Sequence, residues 1–194
     1  MTYEFKAQRS ELVSCTSMMQ LATPRLLLRD FTADDWPAVF AYQRDPRYLR
    51  LYEWSDRTPE AVRAFVQMFI DQQHAEPRTR FQLAVTLRQT GEVIGNCGIR
   101  RESPASHEAE IGYEIAPDQW GRGYASEAVA AIVRFGIETL RVHRLTAWLV
   151  ADNIASARVL EKNGFLLEGR LRDKEMYKGR YWDVLMYARL LANE

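Results

Sequence analysis

Cysteine and histidine are scarce in this chain. Cys15 and Cys97, with His74, His107 and His143, are all that 194 residues contain. The two cysteines lie far apart and the histidines are scattered, so neither a disulfide framework nor a metal site is expected. An excess of one charge is missing too. Lys plus Arg and Asp plus Glu each number 26, which gives a formal net charge of zero. No overall field draws the chain to nucleic acid or to an anionic membrane, and any phosphate binding has to be local. No apolar run approaches a membrane span, and Glu4, Arg9 and Glu11 interrupt the place of a basic-then-apolar signal segment. The expected setting is reducing and cytoplasmic, without a membrane partner.

What is present suits one globular domain: 47% hydrophobic and 27% charged residues. Residues 1–20 show no clean periodicity and read as an extension, with an added strand as the alternative; residues 21–194 read as the domain. Arg25 to Arg29 reads as a strand. Thr32-Ala33-Asp34-Asp35 caps a helix carrying Trp36, Val39 and Phe40, and Thr58-Pro59-Glu60 caps a second, whose apolar face is Val62, Phe65, Val66 and Phe69. The period then changes to two. Phe81 to Val85 and Val93 to Ile99 form a hairpin around Thr90-Gly91, and a third strand runs from Ala109 to Ile115. The strongest helix follows, with Ala125, Ala128, Val129, Ile132, Val133, Gly136 and Leu140 on one face. Strand Arg144 to Val150, a short helix from Asn153 to Asn163-Gly164, and strands Phe165 to Leu171 and Val184 to Leu190 complete the chain. This order gives an α+β (mixed α/β) fold, a mostly antiparallel twisted sheet of about seven strands flanked by about four helices.

Two segments carry chemistry. In Gln119-Trp120-Gly121-Arg122-Gly123-Tyr124-Ala125, glycines precede a helix start, where free N–H groups and the positive dipole end favour a phosphate. A plain glycine-rich connection is the alternative for this segment alone. In Asn153-Ile154-Ala155-Ser156, Asn is a favoured N-cap, so simple capping explains it equally well.

Together, QWGRGYA and NIASARVLEKNGF, separated by one helix and one strand, resemble the GNAT superfamily of N-acetyltransferases over roughly Leu21 to Leu191. Strand Glu110 to Ile115, Asn153 with Ser156, and the tail Glu175 to Asp183 resemble the branch that acetylates N-terminal amines of ribosomal proteins, the RimJ/RimL type. The resemblance implies acetyl-coenzyme A as acyl donor and direct attack of a primary amine on its thioester. It places the cofactor against Ile115, Trp120, Gly121, Arg122, Gly123, Tyr124, Ala125, Asn153 and Ser156. Trp120 departs from the family pattern, which has Gln or Arg at that place.

By the same resemblance Glu175 is the candidate base and Ser156 the group that serves the leaving sulfur. Glu110 and Glu114 are the runners-up for the base, and a backbone amide near Glu114 and Ile115 is the donor to the carbonyl oxygen. Tyr113, on the opposite face of the strand, reads as core, the alternative being the acid that a tyrosine supplies in some relatives; Phe135, Trp148 and Trp182 read as core or packing residues. Tyr48, Tyr52 and Trp54 lie where this superfamily lines its acceptor site, or else pack on the sheet. The acceptor is a peptide N-terminus, a small amine being the alternative and a non-catalytic sensor the third reading. Whether the chain works as a monomer or a homodimer is left open.

Overall fold

The computed structural model describes residues 18–190; Cys15 and the reading of residues 1–17 lie outside the described residues. A three-residue strand, β1 (Gln20–Ala22), pairs with β2 (Leu26–Asp30), which buries Leu26, Leu28 and Asp30 on one face. A single 3-10 turn leads into α1 (Trp36–Gln43). The Asp35 carboxylate anchors that turn: it accepts the Thr32 N–H at 2.8 Å and two Arg29 N–H groups at 2.7 Å each. One further turn, α2 (Pro46–Leu49), is capped by the Asp45 side chain. In α3 (Pro59–Gln73) the Thr58 hydroxyl accepts the Ala61 N–H at 3.2 Å, the cap its sequence signals.

Three antiparallel strands follow, β3 (Arg80–Leu87), β4 (Val93–Arg100) and β5 (Glu108–Ile115). The long α4 (Tyr124–Glu138) crosses over to β6 (Arg144–Val150), which runs parallel to β5. After α5 (Ile154–Lys162) the chain closes with the hairpin of β7 (Leu166–Tyr177) and β8 (Arg180–Leu190). The strand order is β1-β2-β3-β4-β5-β6-β8-β7, so β8 inserts between β6 and β7.

Helices α4 and α5 cover one face of the sheet, over a core that includes Leu28, Leu83, Ile99, Ile132, Leu145 and Phe165. On the other face α1 and α3 pack a second cluster around Phe31, Val39, Tyr42, Val66 and Phe69. Gly136 lets α4 approach closely, since a Cβ there would lie 3.1 Å from the Ile99 Cδ1.

The α+β sheet is as expected, with two corrections in the count among the described residues: eight strands rather than seven and five α-helices rather than four. β1 is too short to carry an alternation, and α2 is one turn in a segment that reads as loop. The last hairpin is also longer than its apolar residues suggest, because β7 runs on through the charged stretch Arg172 to Glu175.

Candidate active site

The sheet opens where β5 and β6 part. Their parallel pairing joins Glu108, Ala109 and Glu110 to Arg144, Leu145 and Thr146 and goes no further, although β5 continues to Ile115 and β6 to Val150. Backbone polar groups alternate sides along a strand. Since the Ala116 N–H donates to Ile94 of β4, the amides of Tyr113 and Ile115 face the open edge. A cavity of about 490 Å³ occupies the gap, with Tyr113, Glu114, Trp148, Ser156, Glu175 and Tyr52 among its walls.

The glycine loop lies at the end of β5. Gly121 and Gly123 take φ of +74° and +80°, a left-handed conformation that glycine adopts without a Cβ penalty. Gly123 is the N-cap of α4, and the first helical amide bonded back to the loop is that of Glu127, on the Gly123 carbonyl at 3.1 Å. The amides before it lack helical partners and are available to an anion. Arg25 adds a cation. Its guanidinium donates to the Arg122 carbonyl at 2.9 Å, lies 4.6 Å from the Tyr124 ring centroid and pairs with Glu127. Trp120 has a different task from ligand contact through its indole N–H: that group donates to the Ile115 carbonyl at 2.6 Å and ties the loop to the strand end. The residue as a whole stays 47% exposed.

Asn153 caps α5, its Oδ1 accepting the Ser156 N–H at 3.1 Å, so the capping reading of this segment holds. Asn153 and Ser156 also line the cavity, so both readings of the motif meet in one place. Ser156 Oγ lies 2.7 Å from the Tyr113 hydroxyl, which also donates to the Ser156 carbonyl at 3.0 Å. Tyr113 is therefore a wall of the site rather than core alone. The alternation correctly sets it opposite Glu110 and Glu114, but the start of α5 sits on that second face. Burial pushes the Tyr113 hydroxyl well above the usual tyrosine pKa, against the opposing effect of its Ser156 bond.

Four carboxylates reach the cavity: Glu53, Glu110, Glu114 and Glu175. Glu110 is taken up by Arg100, at 2.5 Å, and by the Trp148 indole N–H at 3.0 Å. Trp148 is thus an exposed cavity residue and not core, because its face of β6 has no helix over it. Glu114 accepts three side-chain donors on one oxygen. Glu175 has no hydrogen-bond partner among the described residues. A bulge delivers it to the cavity: between the Leu171–Val184 and Glu175–Trp182 pairs, β7 has three residues against one on β8. Asp183 holds that bulge, accepting the Asp173 N–H at 2.9 Å and the Arg170 guanidinium at 2.6 Å.

The aromatics expected at the acceptor site divide. Tyr52 and Trp54 line the cavity, stacked with centroids 5.0 Å apart. Tyr48 does not; at 3% exposure it lies beneath them, stacked on Tyr52 at 4.2 Å, because α2 turns its side chain into the second core cluster. The tip of the last hairpin is strapped to this wall. The Tyr177 hydroxyl donates to the Leu51 carbonyl at 3.1 Å and Lys178 Nζ to the Leu49 carbonyl at 2.5 Å. Cys97 is buried, which raises its thiol pKa far above the usual range and favours the neutral thiol over the thiolate.

A family model described as an acetyltransferase (GNAT) domain matches residues 25–166. An uncharacterized N-acetyltransferase, p20 of Bacillus licheniformis, is 35% identical over 176 residues, covering 89% of this chain and 97% of that protein. The ribosomal-protein-serine acetyltransferase of Escherichia coli is 33% identical over 103 residues, covering 53% of this chain and 58% of that protein. The solved structure of a GNAT-family acetyltransferase from Bacillus anthracis aligns with a TM-score of 0.78 at 29% identity, covering 89% of this chain and 98% of that one.

Proposed function

Because the chain belongs to the GNAT acetyltransferase family, we propose that it transfers the acetyl group of acetyl-coenzyme A directly to a primary amine, the N-terminal α-amine of a protein. The observation that carries this reading is the meeting, in one cavity, of the open β5–β6 edges, Ser156 with Tyr113, and an unpartnered Glu175.

Acetyl-coenzyme A supplies the activated acyl group. The chain fits it at both ends: the free amides from Gly123 suit the pyrophosphate, and the open edges of β5 and β6 suit an amide-bearing arm. The Ile115 amide, on the open edge, is the donor for the acyl oxygen as charge develops there. Ser156 donates a proton or hydrogen bond to the departing sulfur, and Tyr113 orients it. Glu175 takes the proton from the amine, directly or through water. An α-amine has a reference pKa near 8, so roughly a tenth is free base at neutral pH, whereas lysine near 10.4 is almost wholly charged. A lone carboxylate is an adequate base for the first and a poor one for the second. That difference, and the likeness to the ribosomal-protein-serine acetyltransferase of E. coli, support the α-amine as acceptor.

A small amine is the second reading. Glu53, Glu110, Glu114 and Glu175 against Arg100 make the cavity acidic, which favours a cationic small molecule equally.

The test is incubation with acetyl-coenzyme A and a panel read by mass spectrometry: Ala-, Ser- and Met-starting peptides, N-blocked lysine peptides, polyamines and aminoglycosides. Acetylation of Ala- or Ser-starting peptides is the expected result. Turnover of one small amine with silence on every peptide selects the second reading.

A further inference from the structure

The polar groups behind the cavity aim their donors at one atom. Glu114 Oε2 accepts from the Tyr42 hydroxyl at 3.2 Å, Gln43 Nε2 at 3.1 Å and Asn96 Nδ2 at 2.9 Å. Both amides are held from behind. Arg57 Nε donates to Gln43 Oε1 at 3.0 Å, and Gln82 Nε2 donates to Asn96 Oδ1 at 2.6 Å. With their carbonyl oxygens so engaged, the amides keep their NH2 groups toward the carboxylate. Asn96 also donates to the Tyr42 oxygen at 3.1 Å, which frees the Tyr42 proton for Glu114. Gln43, Asn96 and Tyr42 are all buried. Glu114 Oε1 has no partner among the described residues, and Glu114 lines the cavity.

The aromatic wall closes onto the same network. Tyr42 packs edge-on against Tyr48 at 5.7 Å, Tyr48 stacks on Tyr52, and Tyr52 on Trp54. Arg57 lies 4.7 Å from the Trp54 ring centroid, and this is the arginine that locks Gln43. The contacts form a circuit from Glu114 through the aromatic stack and Arg57 back to Glu114.

A buried polar network is costly unless its members are satisfied. This one satisfies a single carboxylate oxygen three times and leaves the other without a partner among the described residues, in a cavity that Tyr52 and Trp54 also line. A fixed carboxylate in a cavity with aromatic walls is the chemistry that recognises an organic ammonium. We infer that Glu114 is the ammonium-binding residue of the acceptor site, holding the charged form of the incoming primary amine against Tyr52 and Trp54. It sets specificity for a cationic acceptor and is separate from the base. Tyr42, Gln43, Asn96 and Arg57 are positioning residues that act through it. The inference rests on the N-acetyltransferase reading and names what the site selects: a primary ammonium, never its neutral, N-acylated form.

Two measurements test it. In the first, an Ala-starting hexapeptide and phenethylamine, each beside its N-acetylated twin, are titrated without acetyl-coenzyme A and binding is followed by tryptophan fluorescence. The wild type is expected to prefer at least one free amine over its twin by about tenfold, and Glu114→Gln to lose most of that preference. In the second, steady-state kinetics with the preferred amine should show KM raised about tenfold in Glu114→Gln, and about threefold in Arg57→Leu, with kcat within about threefold of wild type in both. Arg57→Leu, at the outer end of the circuit, guards against a Glu114 variant that fails to fold. Loss of kcat at unchanged KM would make Glu114 the base and overturn the inference. So would undiminished preference in Glu114→Gln, or a wild type that tells neither pair apart. Preference without turnover of either amine would instead overturn the acetyltransferase reading and leave the anchor standing.

Discussion

The Tyr113 hydroxyl lies 2.7 Å from Ser156 Oγ, joining β5 to the first turn of α5 across the gap in the sheet. Burial raises the tyrosine's pKa above its usual value near 10, so it stays protonated throughout the neutral range and up to about pH 10. Ser156→Ala should lower kcat by about tenfold to hundredfold, and Tyr113→Phe by less, since it removes the orienting partner alone. Single-turnover thiol release checks this. A wild-type rate in Ser156→Ala would reduce Ser156 to a helix residue.

Glu175→Gln should lower turnover by about a hundredfold while acetyl-coenzyme A affinity stays unchanged, because the role proposed for Glu175 is on the amine and not on the cofactor. Calorimetry gives the affinity and thiol release the rate. Unaltered turnover from about pH 6 to about pH 9, around the α-amine's reference value, would remove Glu175 from the base role.

Gly123→Trp should abolish binding of acetyl-coenzyme A. Gly123 stands at φ +80°, where an L-residue costs about 1–2 kcal/mol, and its side chain would fill the space before the free amides. The fold should persist, which thermal unfolding verifies; retained affinity would move the phosphate site elsewhere.

A fourth prediction concerns stability and pH. Burial alone would raise the Asp35 carboxyl, yet the Arg29 hydrogen bonds and the Thr32 N–H outweigh it and hold the pKa below the usual carboxylate value. A depressed folded-state pKa stabilises the fold above the unfolded value near 3.9, and that contribution fades as pH falls through the folded-state value. Asp35→Asn should therefore cost about 2–4 kcal/mol at neutral pH, with the gap to wild type closing in acid. Urea titrations at neutral and strongly acidic pH measure both; an equal gap at the two would rule out the ion pair as its source.

Much of this was legible in the residues. Thr58, the Val62–Phe69 face, the α4 stripe and Gly164 at its left-handed cap are local signals, and local structure obeys them. The glycine loop was readable for the same reason, since positive φ and helix starts leave marks on neighbouring residues. Other features depend on pairings that no local signal carries. The gap between β5 and β6 comes from where two distant strands stop pairing. The delivery of Glu175 depends on a bulge that Asp183 holds from the next strand. Glu114 looks like an ordinary strand glutamate until Tyr42, Gln43 and Asn96 arrive from two other elements. Trp120 has a second task that no local signal carries: its indole N–H serves the Ile115 carbonyl at the end of β5.

The insertion of β8 between β6 and β7 also orders events in time. Strand β7 meets the sheet only through β8, yet it precedes β8 in the chain. As the polypeptide leaves the ribosome, the glycine loop and the α4–β6 crossover are made first, while β7 gains its place in the sheet only once residues 180–190 have followed. The end of the sheet that carries the glycine loop can assemble early. The Glu175 wall of the cavity is completed only once β8 has added to β6.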